Sequence, residues 1–445
     1  MSELLALAER VAAQARGGEQ IEAYVVRARD TSVRVYDGEI EQLASAQSEG
    51  LGVRVIVDGK QGFAYAGTLT EDAIVDALAD ARDNVTFGTP DPWAGLAEPD
   101  GVASPSLALW NDALASTPTD RKVALTMELE KLTAAGDKRV RVESADYGDV
   151  LAEGAVATST GIRSVGRETG CYLSVSTLAT EGDETQTGFG FSVGRCLDDL
   201  DPARAAADGL HRATRLLGAT KPGSGRVTVV LDPFVTAQFL SVLSSTVNGE
   251  AVLKGRSLFA NRVGDSVAAA CFTLVDDPTN PMAYTATEVD GEGLATRRNV
   301  LISGGVLQGF VHNAYSGRRA GAASTGSAVR GYTSTPGVGC VALALNPGTR
   351  TQAQLVADVS DGVLIQQVSG MHSGVNPISG DFSTGAAGLR ITNGTVGAPI
   401  KEFTIASTLQ KMLLDVVEVG GDVEWLPMSA AGVSLVINDV ALSGA

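Results

Sequence analysis

His211, His312 and His372 are the only imidazoles in the chain, and no two of them lie close in sequence. A helix-borne zinc site needs two histidines on one face and an acid to act on the bound water. Spacing offers none here, which leaves a long-range site from His312, His372 and a carboxylate as the open histidine arrangement. Nucleophile motifs are also missing, with neither a Gly-x-Ser-x-Gly elbow nor a Ser-x-x-Lys pair. Cys171, Cys196, Cys271 and Cys340 are scattered without a Cys-x-x-Cys pair and read as reduced thiols of a cytosolic protein. The acids at Asp276-Asp277 and at Glu288, Asp290 and Glu292 could exchange protons, but a chain with 52 acidic residues produces such groups by chance. Gly317 to Gly326 is rich in glycine, yet it lacks the Gly-Lys-Ser/Thr ending and the preceding apolar strand of nucleotide loops. Arg318-Arg319 beside Ser324-Thr325 could hold an anion or belong to a flexible surface loop.

The run Met371 to Gly388 (MHSGVNPISGDFSTGAAG) is too polar and glycine-rich for a core and too long for a turn. Such segments line binding sites on rigid scaffolds. His372, Ser373, Asn376 and Asp381 are its candidate polar contacts, with a locally satisfied loop network as the alternative.

The elements that must position these residues follow from periodicity. Leu4, Leu5, Leu7, Ala8 and Val11 mark a helix stopped by Gly17-Gly18. Strand patterns occupy 23–26, 33–36, 53–57 and 62–66, with turns at Asp37-Gly38 and Asp58-Gly59. Thr70 then caps a helix carrying Ile74, Ala77, Leu78 and Ala81. Prolines 90, 92, 99 and 105 predict a long surface connection over 90–108. A helix over 120–134, strands at 140–142, 172–175 and 189–192, and a helix opened by Asp201-Pro202 come next. Gly62–Ala66 and Gly188–Ser192 each lead through a polar turn into a helix, either an internal duplication or a common connection met twice. After Lys221-Pro222-Gly223 come a buried-type strand at 227–231 and a helix opened by Asp232-Pro233. Short strands and glycine turns then run from about 250 to 405, and a last helix carries Leu409, Met412, Leu413, Val416 and Val417.

The expected fold class is α+β: helices with antiparallel hairpins, then a larger β-rich part forming a curved antiparallel sheet or partial barrel. The expected divisions are 1–108, 109–222 and 223–445. Lys and Arg number 34 against 52 acids, for a net charge of −18. That balance argues against direct nucleic-acid contact and against docking on anionic lipid. No apolar run is long enough to span a membrane, and the first residues lack the basic and apolar regions of a secretory signal. Cytoplasmic localisation is the expectation.

The C-terminal half resembles the TldD/PmbA family, once called modulators of DNA gyrase. The pieces that carry the resemblance are Gly249-Glu250-Ala251 to Gly255-Arg256-Ser257, Val275-Asp276-Asp277-Pro278, Val289-Asp290-Gly291-Glu292-Gly293, Ser324-Thr325-Gly326, Ser379-Gly380-Asp381-Phe382-Ser383, Gly394 to Pro399 and Thr404 to Leu409. The resemblance implies a two-subunit metallopeptidase acting on unfolded or modified peptides. In it, a TldD-type member binds the metal through a His-Glu-x-x-x-His helix and a later Cys, and a TldE/PmbA-type member lacking them completes the chamber. Phe239 to Gly249, where that motif should lie, has neither His nor Glu, and no Cys follows Cys340. The chain therefore resembles the TldE/PmbA type, with no metal or catalytic residue expected on it and zinc expected on a TldD-type partner. The expected assembly is a heterodimer with that partner, or a homodimer without it. Candidate substrate-chamber contacts are His372, Ser373, Asn376, Asp381, Arg318 and His312. The alternatives are a homo-oligomeric peptide- or ligand-binding protein with no peptidase role, and an independent hydrolase with an unrecognised site.

Overall fold

The computed structural model describes residues 2–444. The patterns at 23–26 and 33–36 lie on one long strand, β1 (Gln20–Tyr36), which turns into β2 (Glu39–Val57) and then β3 (Lys60–Ala66). Both turns have the left-handed pair of a tight hairpin: φ is +53° and +76° at Asp37-Gly38, and +50° and +74° at Asp58-Gly59. Farther on come β4 (Val140–Thr158), β5 (Arg163–Glu181) and β6 (Glu184–Gly194). These six strands form one antiparallel sheet in the order β3-β2-β1-β4-β5-β6. Residues on both sides of position 108 thus share a sheet. Helices Glu3–Ala12 and Glu71–Val85 flank the first three strands in sequence, and Thr119–Ala134 and Pro202–Thr214 flank the second three. A helix–three strands–helix unit therefore occurs twice, joined through β1 and β4. The two short glycine-rich runs occupy matching places in it, on β3 and β6. No helix or strand occurs over 86–111, where the prolines cluster.

Strand alternation gives this sheet two different faces. Ile21, Ala23 and Val25 on β1, and Leu51, Val53 and Val55 on β2, pack under Leu4, Ala8, Val11, Ile74 and Leu78 of the first two helices. Each fully buried Leu, Ile or Val side chain there contributes roughly 1.5–3 kcal/mol. The even-numbered residues Glu22, Tyr24 and Val26 face the other way, toward the C-terminal half.

The C-terminal half curves a second sheet into a barrel. Strand β7 (Gly225–Leu231) runs parallel to Asp361–Ser369 and antiparallel to Leu435–Ser443. Asp361–Ser369 pairs with Asp381–Thr392, which pairs with Thr395–Thr408. Thr404–Ala406 then meets Ala441–Ser443, which closes the ring. Val227, Val229, Leu231, Val363, Ile365, Ile405, Leu435 and Ile437 lie in the main core of this half.

Two expectations need correction here. The last helix stops at Leu414, and Val416–Val419 forms an edge strand against Leu435–Ile437, where β-branched side chains pack well. The Met371–Gly388 run opens with a single helical turn, Met371–Gly374, and is a loop only to residue 380. From Asp381 it is a strand whose Phe382, Thr384 and Ala386 point inward and are buried.

Candidate functional site

The helix Pro233–Thr246 opens with the Asp232 carboxylate accepting the Phe234 N–H at 3.2 Å. Its Val235, Ala237, Phe239, Leu240 and Leu243 are all buried, as an apolar helix within a core requires. Its hydroxyls turn back onto their own helix. Ser241, Ser244 and Ser245 donate to the carbonyls of Ala237, Ser241 and Val242 at 2.9, 2.7 and 2.7 Å. Next, the Asn248 Oδ1 accepts from the N–H groups of Glu250 and Ala251, and its Nδ2 donates to the Val338 carbonyl at 2.6 Å. The His312 ring lies against Gly249, where any Cβ would come within 2.2 Å of it. His312 is buried, its Nδ1 is 3.1 Å from Ser316 Oγ, and burial lowers its pKa, which favours the neutral ring.

These residues do not fit a catalytic metal. The helix hydroxyls are already bonded, His312 stands alone, and Glu250 pairs with Lys254 at 2.5 Å. Among the described residues no group of three or more His, Cys, Asp or Glu converges in a way that could hold an ion.

The loop over 370–380 adjoins this helix. Phe382, just after it, packs edge-on against Phe239 with ring centroids 6.1 Å apart, and the Leu258 N–H reaches the Pro377 carbonyl at 3.4 Å. Asn376 and Asp381 build the loop from inside. Asn376 Oδ1 accepts from Ile378 and Ser379 N–H, and Ser379 Oγ donates to Asp381 Oδ2 at 2.6 Å. Ser373 Oγ donates to the Gly370 carbonyl at 3.2 Å. His372 is exposed and has no hydrogen-bond partner among the described residues, so it is the free imidazole of the group. Arg318 belongs elsewhere. Its guanidinium donates to the carbonyls of Trp93, Gly95 and Leu96 at 3.0, 2.6 and 3.1 Å, tying down the proline-rich connection. The structure thus brings His372, Ser373, Asn376 and Asp381 together, places His312 behind the helix end at Gly249, and gives Arg318 to a backbone clamp.

A second feature lies between the six-stranded sheet and the loops over 287–341. It is a cavity of about 310 Å³. The β1–β4 and β4–β5 registers set its floor in three rows: Tyr24, Val156 and Ser164; Val26, Gly154 and Gly166; Ala28, Ala152 and Glu168. Beside it sits a buried cluster of four charges. Glu22 and Arg54 face each other across β1 and β2, with Arg54 Nη2 2.7 Å from Glu22 Oε2 and 3.3 Å from Glu292 Oε1. Arg330 reaches Glu22 as well, and its Cζ lies 4.9 Å from the centre of the Tyr24 ring. Burial works to raise the Glu22 carboxyl, but Arg54 and Arg330 outweigh it and hold its pKa below the ordinary value. Asp290 is different: burial and then the Glu292 charge push it up to about 7, although three backbone N–H groups favour its ionised form. Burial also raises Glu168 on the cavity wall. Glu292 and Asp290 read as chance acids in the sequence, and nothing there singles out Arg330, because the charged partners of Glu292 and Arg330 lie 238 and 308 residues away.

Asp276 provides a test of these buried carboxyls. Its Oδ1 accepts from Val341 and Ala342, its Oδ2 has no partner among the described residues, and burial pushes it up to about 6 from an ordinary 3.8. A raised carboxyl holds its proton longer in the folded chain. Its contribution is full below the unfolded pKa and is lost as pH rises through about 6. Asp276→Asn, which keeps Oδ1 and removes the titration, is expected to leave stability unchanged near pH 4 and raise it near pH 7 by on the order of 2–3 kcal/mol. Urea unfolding at the two pH values measures this, and an equal effect at both would contradict it.

Three family descriptions match the chain in sequence order. PmbA/TldA metallopeptidase domain 1 matches residues 21–85, the central domain 112–217, and the C-terminal domain 224–444. The chain belongs to the PmbA/TldD metallopeptidase family. The metalloprotease PmbA of Escherichia coli O157:H7 is 26% identical over 407 residues, covering 91% of this chain and 88% of that one. A PmbA homolog from Haemophilus influenzae is 26% identical over 444 residues, covering 96% and 93%. The crystal structure of TldE from Thermococcus kodakarensis superposes with a TM-score of 0.90 at 24% identity, covering 99% of each chain, and so shares the fold.

Proposed function

We propose that the chain is the non-catalytic, TldE/PmbA-type subunit of a TldD/TldE-like metallopeptidase that acts on unfolded or modified peptides. The observation that carries this reading is the helix Pro233–Thr246. Where the family resemblance calls for ligands, it has serines bonded to its own carbonyls. Without ligands there is no metal here to lower the pKa of a water. The metal belongs to a TldD-type partner, and this subunit supplies one wall of the chamber. The loop over 370–380 is the part of that wall offered to substrate, with His372 as the side chain free to contact it. An extended peptide adding to a strand edge there is bound through its backbone without demanding a sequence.

Native mass spectrometry of the chain mixed with the TldD-type protein from the same source tests the assignment. A one-to-one complex holding one metal, with metal and peptide cleavage absent from this chain alone, is the expected result. A metal-free homodimer that ignores the partner would support a binding protein without a peptidase role. Metal or peptidase activity on this chain alone would reveal an independent hydrolase. Within the complex, His372→Ala is expected to slow peptide cleavage while leaving the melting temperature of this subunit unchanged. Asn376→Ala is expected to slow cleavage and also loosen the loop, since Ile378 and Ser379 lose their acceptor. Unchanged cleavage in the His372→Ala, Asn376→Ala double variant would remove the loop from the chamber wall.

A further inference from the structure

Two charged groups on the cavity beneath the six-stranded sheet are left incomplete by the protein, and they lie toward its opposite ends. The Arg330 side chain is wholly buried, and apart from its Nη1 contact with Glu22 its Nε and Nη2 have no acceptor among the described residues. Buried guanidinium donors left unpaired are costly. The Tyr24 face stabilises the charge without accepting either bond in the plane of the guanidinium. Glu168 has no hydrogen bond or ion pair among the described residues, and Arg195 acts on it only as a neighbouring charge. The row containing Tyr24 and the row containing Glu168 are four residues apart along β5, roughly 13 Å, and Tyr24 on β1 and Glu168 on β5 stand two strands apart, roughly 10 Å across the sheet, which makes a diagonal of about 16 Å. The row between them is open. Gly154 faces Gly166 across the strands, and a Cβ on either would come no closer than 3.7 or 3.8 Å to any atom. Val26 and Val289 make the nearby walls apolar.

We infer that this cavity binds a short zwitterionic peptide of about three residues, with its α-carboxylate on Arg330 and its α-ammonium on Glu168. One contact at each end of the roughly 16 Å diagonal leaves about 10 Å, the span of an extended tripeptide. The volume is at the lower end of the range for small-ligand sites. The arginines at the rim are already engaged: Arg27 pairs with Glu3 and Glu49, and Arg167 lies over the Trp110 ring. Asp290 offers the ammonium no rival site, because its oxygens already accept backbone N–H groups from Glu292, Leu294 and Ala328. The site lies wholly on this chain and needs no catalytic partner, so its failure and the failure of the subunit reading are separate outcomes.

Isothermal titration of the full chain with the tripeptide Ala-Ala-Leu tests it, with N-acetyl-Ala-Ala-Leu and Ala-Ala-Leu amide as comparison probes. Ala-Ala-Leu is expected to bind, and blocking either terminus to weaken binding about tenfold or more. Gly166→Leu, which places its side chain in the open row, is expected to abolish binding while the melting temperature holds. Glu168→Gln is expected to weaken Ala-Ala-Leu about tenfold and leave N-acetyl-Ala-Ala-Leu unaffected. No binding of Ala-Ala-Leu by the unmodified chain would overturn the proposal, as would undiminished binding by a stably folded Gly166→Leu variant or equal affinity for the blocked forms.

Discussion

Arg54→Met is expected to lower the unfolding free energy by about 3–5 kcal/mol, the largest single-residue effect anticipated in this protein. Arg54 is 4% exposed and sits between Glu22 and Glu292, both essentially buried. Removing it leaves two buried carboxylates with one guanidinium between them, Arg330, which reaches only Glu22, and Glu292 loses the only ion pair it has among the described residues. Glu22 can keep Arg330, but Glu292 retains only the Ala314 N–H at 2.8 Å. The four charges also join different parts of the chain. Glu22 and Arg54 lie on the six-stranded sheet, whereas Glu292 and Arg330 come from loops of the C-terminal half. The variant is therefore expected to unfold in two steps, the sheet separating from the barrel before either melts. Urea titration followed by far-UV circular dichroism and by tryptophan fluorescence measures both effects. Arg10→Met, which breaks an exposed pair with Glu71, is the control and is expected to leave the midpoint where it was. If Arg54→Met matched that control, the buried cluster would not be what holds the two halves together.

Gly190→Ala should destabilise by about 2–3 kcal/mol through overpacking alone. A Cβ at Gly190 would lie 1.9 Å from the Ala205 carbonyl oxygen and 2.8 Å from the Gly209 nitrogen, both backbone atoms of the helix packed on β6. No side chain can rotate away, so the helix itself must move. Gly62 plays the same part in the first unit, with a Cβ there 2.0 Å from the Ala81 carbonyl oxygen and 2.5 Å from the Val85 nitrogen. Gly62→Ala should cost a similar amount. Gly223→Ala meets nothing within 4 Å, has no left-handed φ, and should be near neutral. Thermal melts of the three variants decide the matter. Neutral Gly62→Ala and Gly190→Ala variants would mean that helix-to-sheet spacing in the two units does not depend on these glycines.

Gly62 and its sequence counterpart Gly188, where a Cβ would lie 2.4 Å from the Gly209 carbonyl oxygen, show how far local patterns reach. Gly62–Ala66 and Gly188–Ser192 match one another in sequence because each glycine stands in the same short strand-to-helix phrase. What makes each glycine necessary, a carbonyl from the following helix, is visible only once the helix is docked. The caps at Asp201-Pro202 and Asp232-Pro233 and the turns at Asp37-Gly38 and Asp58-Gly59 were legible for the same reason, since their chemistry is complete within a few residues. The exposed stretch of β2 over 39–48 was not. Its side chains are exposed on both faces, so it carries no period-two pattern, and pairing with residues 28–36 alone makes it a strand. Val416 and Val417 continued a helical stripe in sequence, but Leu435–Ile437 offered an open strand edge that claimed them.

The sequence by itself determined the mixture of helices and hairpins, the starts of the capped helices, the proline-rich connection and the absence of His and Glu from Phe239–Gly249. All of these depend on residue type and near-neighbour spacing. Only the tertiary structure decided which polar residues matter together. Arg318 and Asn376 looked alike as exposed polar candidates, yet one holds three carbonyls of a distant connection and the other holds its own loop. Glu22, Arg54, Glu292 and Arg330, and the cavity between Arg330 and Glu168, come from segments as far apart as 308 residues. Charge pairing and cavity shape depend on distances of a few ångströms in space. A chain that folds back on itself sets those distances through strand register and helix docking, not through spacing along the sequence.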